Sequence, residues 1–220
     1  MSTCLIHPRA EPLPEGAQSL REFATSLISD AMGRVGGVPG LVPIPASAGP
    51  LFGPALTVRT RPGDNLVIHK ALDLAEPGDV LVVDGGGAPD RALVGGLMCR
   101  YARSRGLAGV VIDGAVRDVS ELGRLGLPVY ARCVSHQGPD KNGPGEIGGP
   151  IVLSGTTVSS GDAIVADEDG VVVVPARRVA EIALAAAAVA ANEEQANDDI
   201  DNGRWDRAWI DRVLTVIPAP

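Results

Sequence analysis

The sequence predicts a mixed α/β domain with parallel and antiparallel strands flanked by helices, on three observations. Short apolar runs alternate with helical stripes over the first 130 or so residues. Twenty-eight glycines and eighteen prolines punctuate those runs as turns. A meander of β-rich segments follows, and after it a long Ala-rich stretch. The order is thus one helix, then β and βα units, then a meander, then a long helix, which is the pattern of sheets covered by helices.

Residues 1–17 are Pro-rich and predicted to be irregular. Leu20, Phe23, Ala24, Leu27 and Ile28 form a helical stripe over 20–32, ended by Gly36, Gly37 and Gly40. Strands are expected at 41–44 and 55–60, with Arg61-Pro62-Gly63 as the turn. Asp64 is a natural N-cap for a helix over 65–75, closed by Pro77-Gly78. A buried strand at 79–83 leaves through Asp84-Gly-Gly-Gly87. Gly95-Gly96 interrupt the helical pattern of 93–106, so a short turn precedes them and the helix follows them. Gly109-Val-Val-Ile112 reads as a buried strand ended by the turn signal Asp113-Gly114, and a new segment runs from Val116 to Leu125. Further strands are expected at 128–134, 151–158, 163–166 and 171–174, with a polar glycine-rich loop over 135–149. A helix over 177–196 and a tail holding both tryptophans complete the chain. No repeat, coiled coil or linker interrupts it, and 220 residues fit one domain over 1–220.

Composition narrows the function. Aromatics are only 3%, so the core must be built from Val, Leu, Ile and Ala. The net charge of −8 argues against a nucleic-acid partner, whose affinity rests on Lys and Arg neutralising phosphates. An anionic substrate would need placed arginines and a metal to capture it locally against the global field. Cys4, Cys99 and Cys133 are odd in number and widely spaced, which predicts free thiols and a cytoplasmic protein. The first ten residues lack the apolar core of a signal peptide, and the apolar run 182–191 is too short for a membrane span.

The chain is organised around Gly109-Val-Val-Ile-Asp-Gly-Ala-Val-Arg-Asp118. In an open α/β sheet, ligands bind beyond the carboxyl ends of the strands, where Arg117 and Asp118 would sit. An arginine there holds a carboxylate through two parallel hydrogen bonds, and an aspartate holds a hard divalent cation. The alternative is an ion pair at a helix start. Gly95-Gly96-Leu97-Met98 precedes a helix, where free N–H groups attract anions, or simply breaks the chain. Asn65 and His69 share a helix face, with a structural role as the plain reading of His69. Asp84 and Asp113 end adjacent strands and either cap turns or buttress a site. His136, Lys141 and Glu146 lie on the polar loop, Asp167-Glu168-Asp169 reads as an acidic hairpin turn, and Glu193-Glu194 reads as helix surface. No Ser/His/Asp order, P-loop, GxGxxG or zinc-ligand spacing is present.

The Gly109–Asp118 motif resembles the signature of the RraA-like family. That family includes class II 4-hydroxy-4-methyl-2-oxoglutarate / 4-carboxy-4-hydroxy-2-oxoadipate aldolases and the regulator of ribonuclease activity A. Asp64-Asn-Leu-Val-Ile-His69, Pro77-Gly-Asp-Val-Leu-Val-Val-Asp-Gly-Gly86, Gly143-Pro-Gly-Glu-Ile147 and Gly161–Pro175 resemble further family segments in family order, over roughly residues 20–203. The resemblance implies a swivelling β/β/α fold assembled as a homotrimer or homohexamer, with sites between subunits. It implies that Asp118 anchors Mg2+ or Mn2+ and acts with Arg117 as the catalytic pair. Asn65, Gly95, Gly96, Leu97, Met98 and Arg117 would bind the substrate, a 2-oxo acid. Glu193, or Glu194 beside it, would reach a neighbouring subunit's metal. The activity implied is a metal-dependent lyase that releases pyruvate by retro-aldol cleavage or oxaloacetate decarboxylation, with Lys141 or Arg91 meeting the substrate's other carboxylates. The other branch of the family implies a protein-binding regulator instead. One position departs from the pattern: many aldolase members carry an acidic residue where this chain has Gly96. The expectation is that the chain favours decarboxylation, which needs no base for a hydroxyl proton, and that Asp at 96 would raise aldol cleavage relative to decarboxylation.

Overall fold

A computed structural model describes residues 2–45, 49–217 and 219. The strands are β1 (Cys4–Ile6), β2 (Val42–Pro43), β3 (Leu51–Thr60), β4 (Val80–Asp84), β5 (Ala92–Val94), β6 (Gly109–Val116), β7 (Val129–Val134), β8 (Gly145–Ile147), β9 (Ile151–Leu153), β10 (Thr156–Val158), β11 (Ala163–Asp167) and β12 (Gly170–Val174). The helices are α1 (Thr25–Ala31), α2 (Leu66–Leu74), α3 (Gly96–Ser104), α4 (Val119–Leu125), α5 (Val179–Asp201) and α6 (Trp209–Val213). Short 3-10 turns occupy Ala17–Glu22 and Ala176–Arg178.

Among the described residues, ten strands join one mixed sheet whose spine runs β1-β8-β3-β4-β6-β7-β2. β3, β4, β6 and β7 are mutually parallel, and α2, α3 and α4 make the crossovers between them. The central strands β4 and β6 are buried on both faces, so Val80–Val83 and Val110–Ile112 read as unbroken apolar runs. Leu81 and Val83 pack with α2, α3 and α4 on one side, while Val80 and Val82 pack with the β9–β10 and β11–β12 hairpins on the other. A third cluster lies under α1 and α5, where Ile28, Val179, Ile182 and Ala186 meet Phe52 and Val172. The layering is therefore helices, sheet and a second β layer, the mixed α/β class expected.

Three expectations are corrected. Asp113-Gly114 is no turn: β6 runs on to Val116, and a register shift against β7 between Ile112 and Ala115 absorbs the glycine as a bulge. The segment over 151–158 is two strands, because Ser154 and Gly155 both take positive φ and reverse the chain. The irregular N-terminal segment includes β1, which pairs in parallel with β8 inside the polar loop.

Asp64 ties that loop to the body. It is fully buried, and it accepts N–H groups from Leu66 at 3.0 Å, Asn142 at 2.6 Å and Gly143 at 3.0 Å. The N-cap position itself falls to Asn65, and Asp64 caps α2 from one residue further back. Burial alone would raise the Asp64 pKa; the three backbone donors and Arg61 outweigh it and hold the carboxyl below its ordinary value. A depressed carboxyl contributes stability that is present above the unfolded pKa of 3.8 and is lost as pH falls through the folded value. Replacing Asp64 with Ala removes the acceptor of three backbone donors, one of them buried, and is expected to cost about 1–3 kcal/mol in urea unfolding at neutral pH. A loss below about 0.5 kcal/mol would remove Asp64 from that role.

Candidate active site at the end of the central strand

The site forms where β6 leaves the sheet. The Arg117 N–H donates to Val94 O at 3.0 Å, which fixes the backbone beside β5. Asp118 follows with φ 61°, a left-handed conformation that aspartate tolerates better than most residues. Asp118 occupies the N-cap of α4 but makes no side-chain cap there. Its carboxylate turns to the neighbouring helix, and Oδ2 accepts the Gly96 N–H at 2.9 Å. Non-glycine residues in such conformations cluster at functional sites.

Gly95 and Gly96 make this approach possible. An idealised Cβ on Gly95 would stand 2.6 Å from Asp118 Oδ2 and 2.9 Å from Arg117 Cγ. Gly96, Leu97 and Met98 open α3, so their N–H groups have no acceptor within the helix. Asp118 takes the first of these, which leaves the Leu97 and Met98 donors and the positive end of the helix beside Arg117. Among the described residues, the one ionic partner of Arg117 is Asp118, with Nε 3.8 Å from Oδ2. The guanidinium is half-exposed, and its fork stands open to a ligand. The polar loop covers this edge: an idealised Cβ on Gly138 would lie 3.0 Å from Arg117 Nη1, and Arg91 donates to Gly138 O at 3.2 Å.

The structure thus brings together Arg117, Asp118, Gly95, Gly96 and the opening turn of α3. Leu97 is exposed, whereas Met98 is buried. Asn65 is also buried: its amide donates to Leu93 O at 2.9 Å and contacts Met98 Sδ at 3.2 Å, while Lys141 Nζ donates to its oxygen at 3.0 Å. Asn65 therefore reaches the site through Met98 and the polar loop. His69 stands 3.4 Å from Lys141 Nζ, and burial, with Lys141 adding to it, lowers its pKa. Asp113 pairs with Arg132 and is paired in register with Asp84, supporting the end of the sheet from below. Glu193 and Glu194 lie on the exposed distal half of α5, a helix that packs on α1, and neither is among the partners of Asp118 within one chain. Cavities of about 610 and 900 Å3 occur by the N-terminal segment and by the Gly36–Gly40 turn, and neither is lined by Arg117 or Asp118.

Two residues escaped the sequence reading. Glu121 lies on α4 one turn beyond Asp118, and its carboxylate fills the space beside Gly96. Arg100 on α3 donates to Glu121 Oε1 at 3.0 Å. The Asp-x-x-Glu spacing was the available signal, since it sets both carboxylates on one helix face. Cys99 registers both charges: burial, helped by Asp118 and Glu121, pushes its thiol to about 12, so it is no thiolate nucleophile at neutral pH.

Fold and site define a class: an α/β protein with an open arginine and an aspartate at the carboxyl edge of a parallel strand, facing a helix N-terminus. A family profile described as RraA-like, Aldolase/RraA, matches residues 25–173, and the chain belongs to that family. A protein of Halalkalibacterium halodurans named a putative 4-hydroxy-4-methyl-2-oxoglutarate aldolase is 35% identical over 201 residues, 88% of this chain and 93% of that protein. The solved structure titled as the RNA-processing inhibitor RraA from Thermus thermophilus superposes with a TM-score of 0.63 at 34% identity, covering 69% of this chain and 92% of that one. Streptomyces coelicolor RraAS2, titled an unusual member of the RNase ES inhibitor RraA family, superposes with a TM-score of 0.77 at 27% identity over 86% of this chain and 99% of its own.

Proposed function

We propose that the protein is a divalent-metal-dependent lyase that cleaves 2-oxo acids and releases pyruvate. The observation that carries this reading is the Asp118 carboxylate clasped to the Gly96 N–H beside the open Arg117 fork. The aldolase name of the Halalkalibacterium relative supports it.

The donor set suits a hard cation. With Asp118 Oδ2 engaged by Gly96, Oδ1 remains for a metal. Mg2+ is commonly held by one or two carboxylates together with substrate oxygens and water, and Mn2+ takes the same donors. Among the described residues, no group of three or more His, Cys, Asp or Glu side chains could close around an ion, so the fit is to an open site. Glu193 from a second copy, in a trimer or hexamer, is the ligand we assign to the remaining side. A cation bound here supplies Lewis-acid stabilisation for charge developing on the substrate's 2-oxo oxygen. Arg117 grips the adjacent carboxylate at two points and fixes the reacting bond. The Leu97 and Met98 N–H groups lie at the positive end of α3 and offer further donors to the same oxygens. In retro-aldol cleavage the hydroxyl proton leaves, the carbon–carbon bond breaks, and its electron pair passes to the carbon next to the 2-oxo group; decarboxylation delivers the same pair as CO2 departs.

The test is pyruvate release from 4-hydroxy-4-methyl-2-oxoglutarate and from oxaloacetate, with EDTA and with Mg2+ or Mn2+ restored. Metal-dependent release from either substrate is expected. Silence on both would favour the regulator reading, which the two RraA-titled structures support. The protein is assigned to the cytoplasm on its three unpaired cysteines. Among the described residues, no helix is long and apolar enough to cross a membrane.

A further inference from the structure

We infer that Glu121 is the carboxylate that receives the substrate's hydroxyl, the part a side chain at position 96 would otherwise play. The inference rests on the lyase reading above and adds a residue to it.

Three observations meet at Glu121. An idealised Cβ on Gly96 runs into its carboxylate, with Glu121 Cδ at 2.5 Å and Cγ at 3.1 Å, so the Glu121 head group stands where a side chain from α3 would begin. Gly96 is not in a left-handed conformation, so the backbone there does not itself require glycine. Close approach by Glu121 is what excludes a side chain. The head group is also held: Arg100, one turn along α3, donates to Oε1 at 3.0 Å. Among the described residues, no donor reaches Oε2, the oxygen turned toward Gly96. Finally, Glu121 and Asp118 flank the same N–H end of α3, since Asp118 Oδ2 bonds the Gly96 amide itself. A 2-oxo acid held at Arg117 and the α3 N-terminus would therefore have a second, partly exposed carboxylate beside it.

A carboxylate with one oxygen fixed and the other open is a strong acceptor for a hydroxyl. In retro-aldol cleavage the hydroxyl proton passes to Oε2, the carbonyl of the departing fragment forms, and the broken bond's electron pair goes to the pyruvate half. The same carboxyl then returns a proton to the pyruvate methyl carbon, so the residue ends as it began. Arg100 is a positioning residue that keeps the head group turned inward. Loss of CO2 from oxaloacetate involves no hydroxyl, so Glu121 separates the two reactions.

The experiment measures kcat/KM for both substrates in wild type, Glu121→Gln, Glu121→Ala, Gly96→Asp and the double variant Gly96→Asp/Glu121→Ala, with melting temperature throughout. Glu121→Gln keeps the shape and the Arg100 neighbour but removes the anionic acceptor. Its aldol rate should fall by about 10²-fold or more, with the aldol-to-decarboxylation ratio falling at least about tenfold. Gly96→Asp alone should gain no aldol activity, because its side chain enters space that Glu121 holds. The double variant should recover at least about tenfold over Glu121→Ala, because the relocated carboxylate serves the same place. A wild type active in aldol cleavage whose ratio is unchanged in Glu121→Gln overturns this inference alone, and the Arg100 pair is then only a staple between helices. A wild type silent on both substrates overturns the lyase reading and this inference with it.

Discussion

Asp118→Asn is expected to lose metal-dependent pyruvate release by about 10³-fold, the equivalent of roughly 4 kcal/mol and the scale of Lewis-acid stabilisation at a reacting oxygen. Asparagine is the informative replacement for two reasons. It tolerates the left-handed backbone that Asp118 adopts at φ 61°, which alanine would strain. Its amide oxygen also keeps an acceptor for the Gly96 N–H, now bonded at 2.9 Å, so the end of α3 stays in place. What disappears is the negative charge that would hold a cation. Melting temperature should move little, which separates a chemical defect from a folding one. Wild-type rates in this variant at saturating Mg2+ or Mn2+ would remove Asp118 from the metal.

Arg117→Lys is the second large effect, a loss of about 10²-fold or more in kcat/KM for both substrates. Lysine keeps the charge but not the planar fork that meets a carboxylate at two points. The setting makes the shape matter. Arg117 has no side-chain partner nearer than Asp118 at 3.8 Å among the described residues, and Gly138 comes up against its outer nitrogen without a side chain of its own. A lysine ammonium would leave that space unfilled and present one donor centre in place of two. A change under about threefold would mean that Arg117 is a surface charge.

Much of this was legible in the chain. The buried strands announced themselves because both faces of the sheet are covered, so β4 and β6 are continuous apolar runs. Arg117 and Asp118 were legible by position, since whatever follows such a strand emerges at the carboxyl edge. What could not be read depends on partners remote in sequence. β1 is three residues whose strand character comes from β8, near residue 145. Asp113-Gly114 has the local chemistry of a turn, yet pairing on both sides, to β5 and β7, carries β6 through it. Asn65 could be placed at the start of a helix by spacing, but its bonds to Leu93 O and Lys141 Nζ are set by residues far along the chain. Gly96 looked like a missing carboxylate; the fold brings Glu121 in from a different helix to occupy that space.

The many neighbours of β3 bear on how the chain is made. Its first residues, Leu51 to Pro54, pair with β11; its middle and end, Ala55 to Arg59, pair with β4; and Val58 to Thr60 also pair with β8. On the ribosome, β4 emerges soon after β3, but β8 follows only near residue 145 and β11 near 163. A nascent chain that has finished β7 therefore carries a half-paired β3, with the apolar edge of Leu51 and Phe52 waiting for partners, Ala166 and Val165, more than a hundred residues downstream. Unpaired apolar edges are templates for wrong pairing. Synthesis at about 5–20 residues per second keeps that edge open for several seconds. Release of a chain truncated before β11 should then yield insoluble protein even though Arg117, Asp118 and every crossover helix are already made.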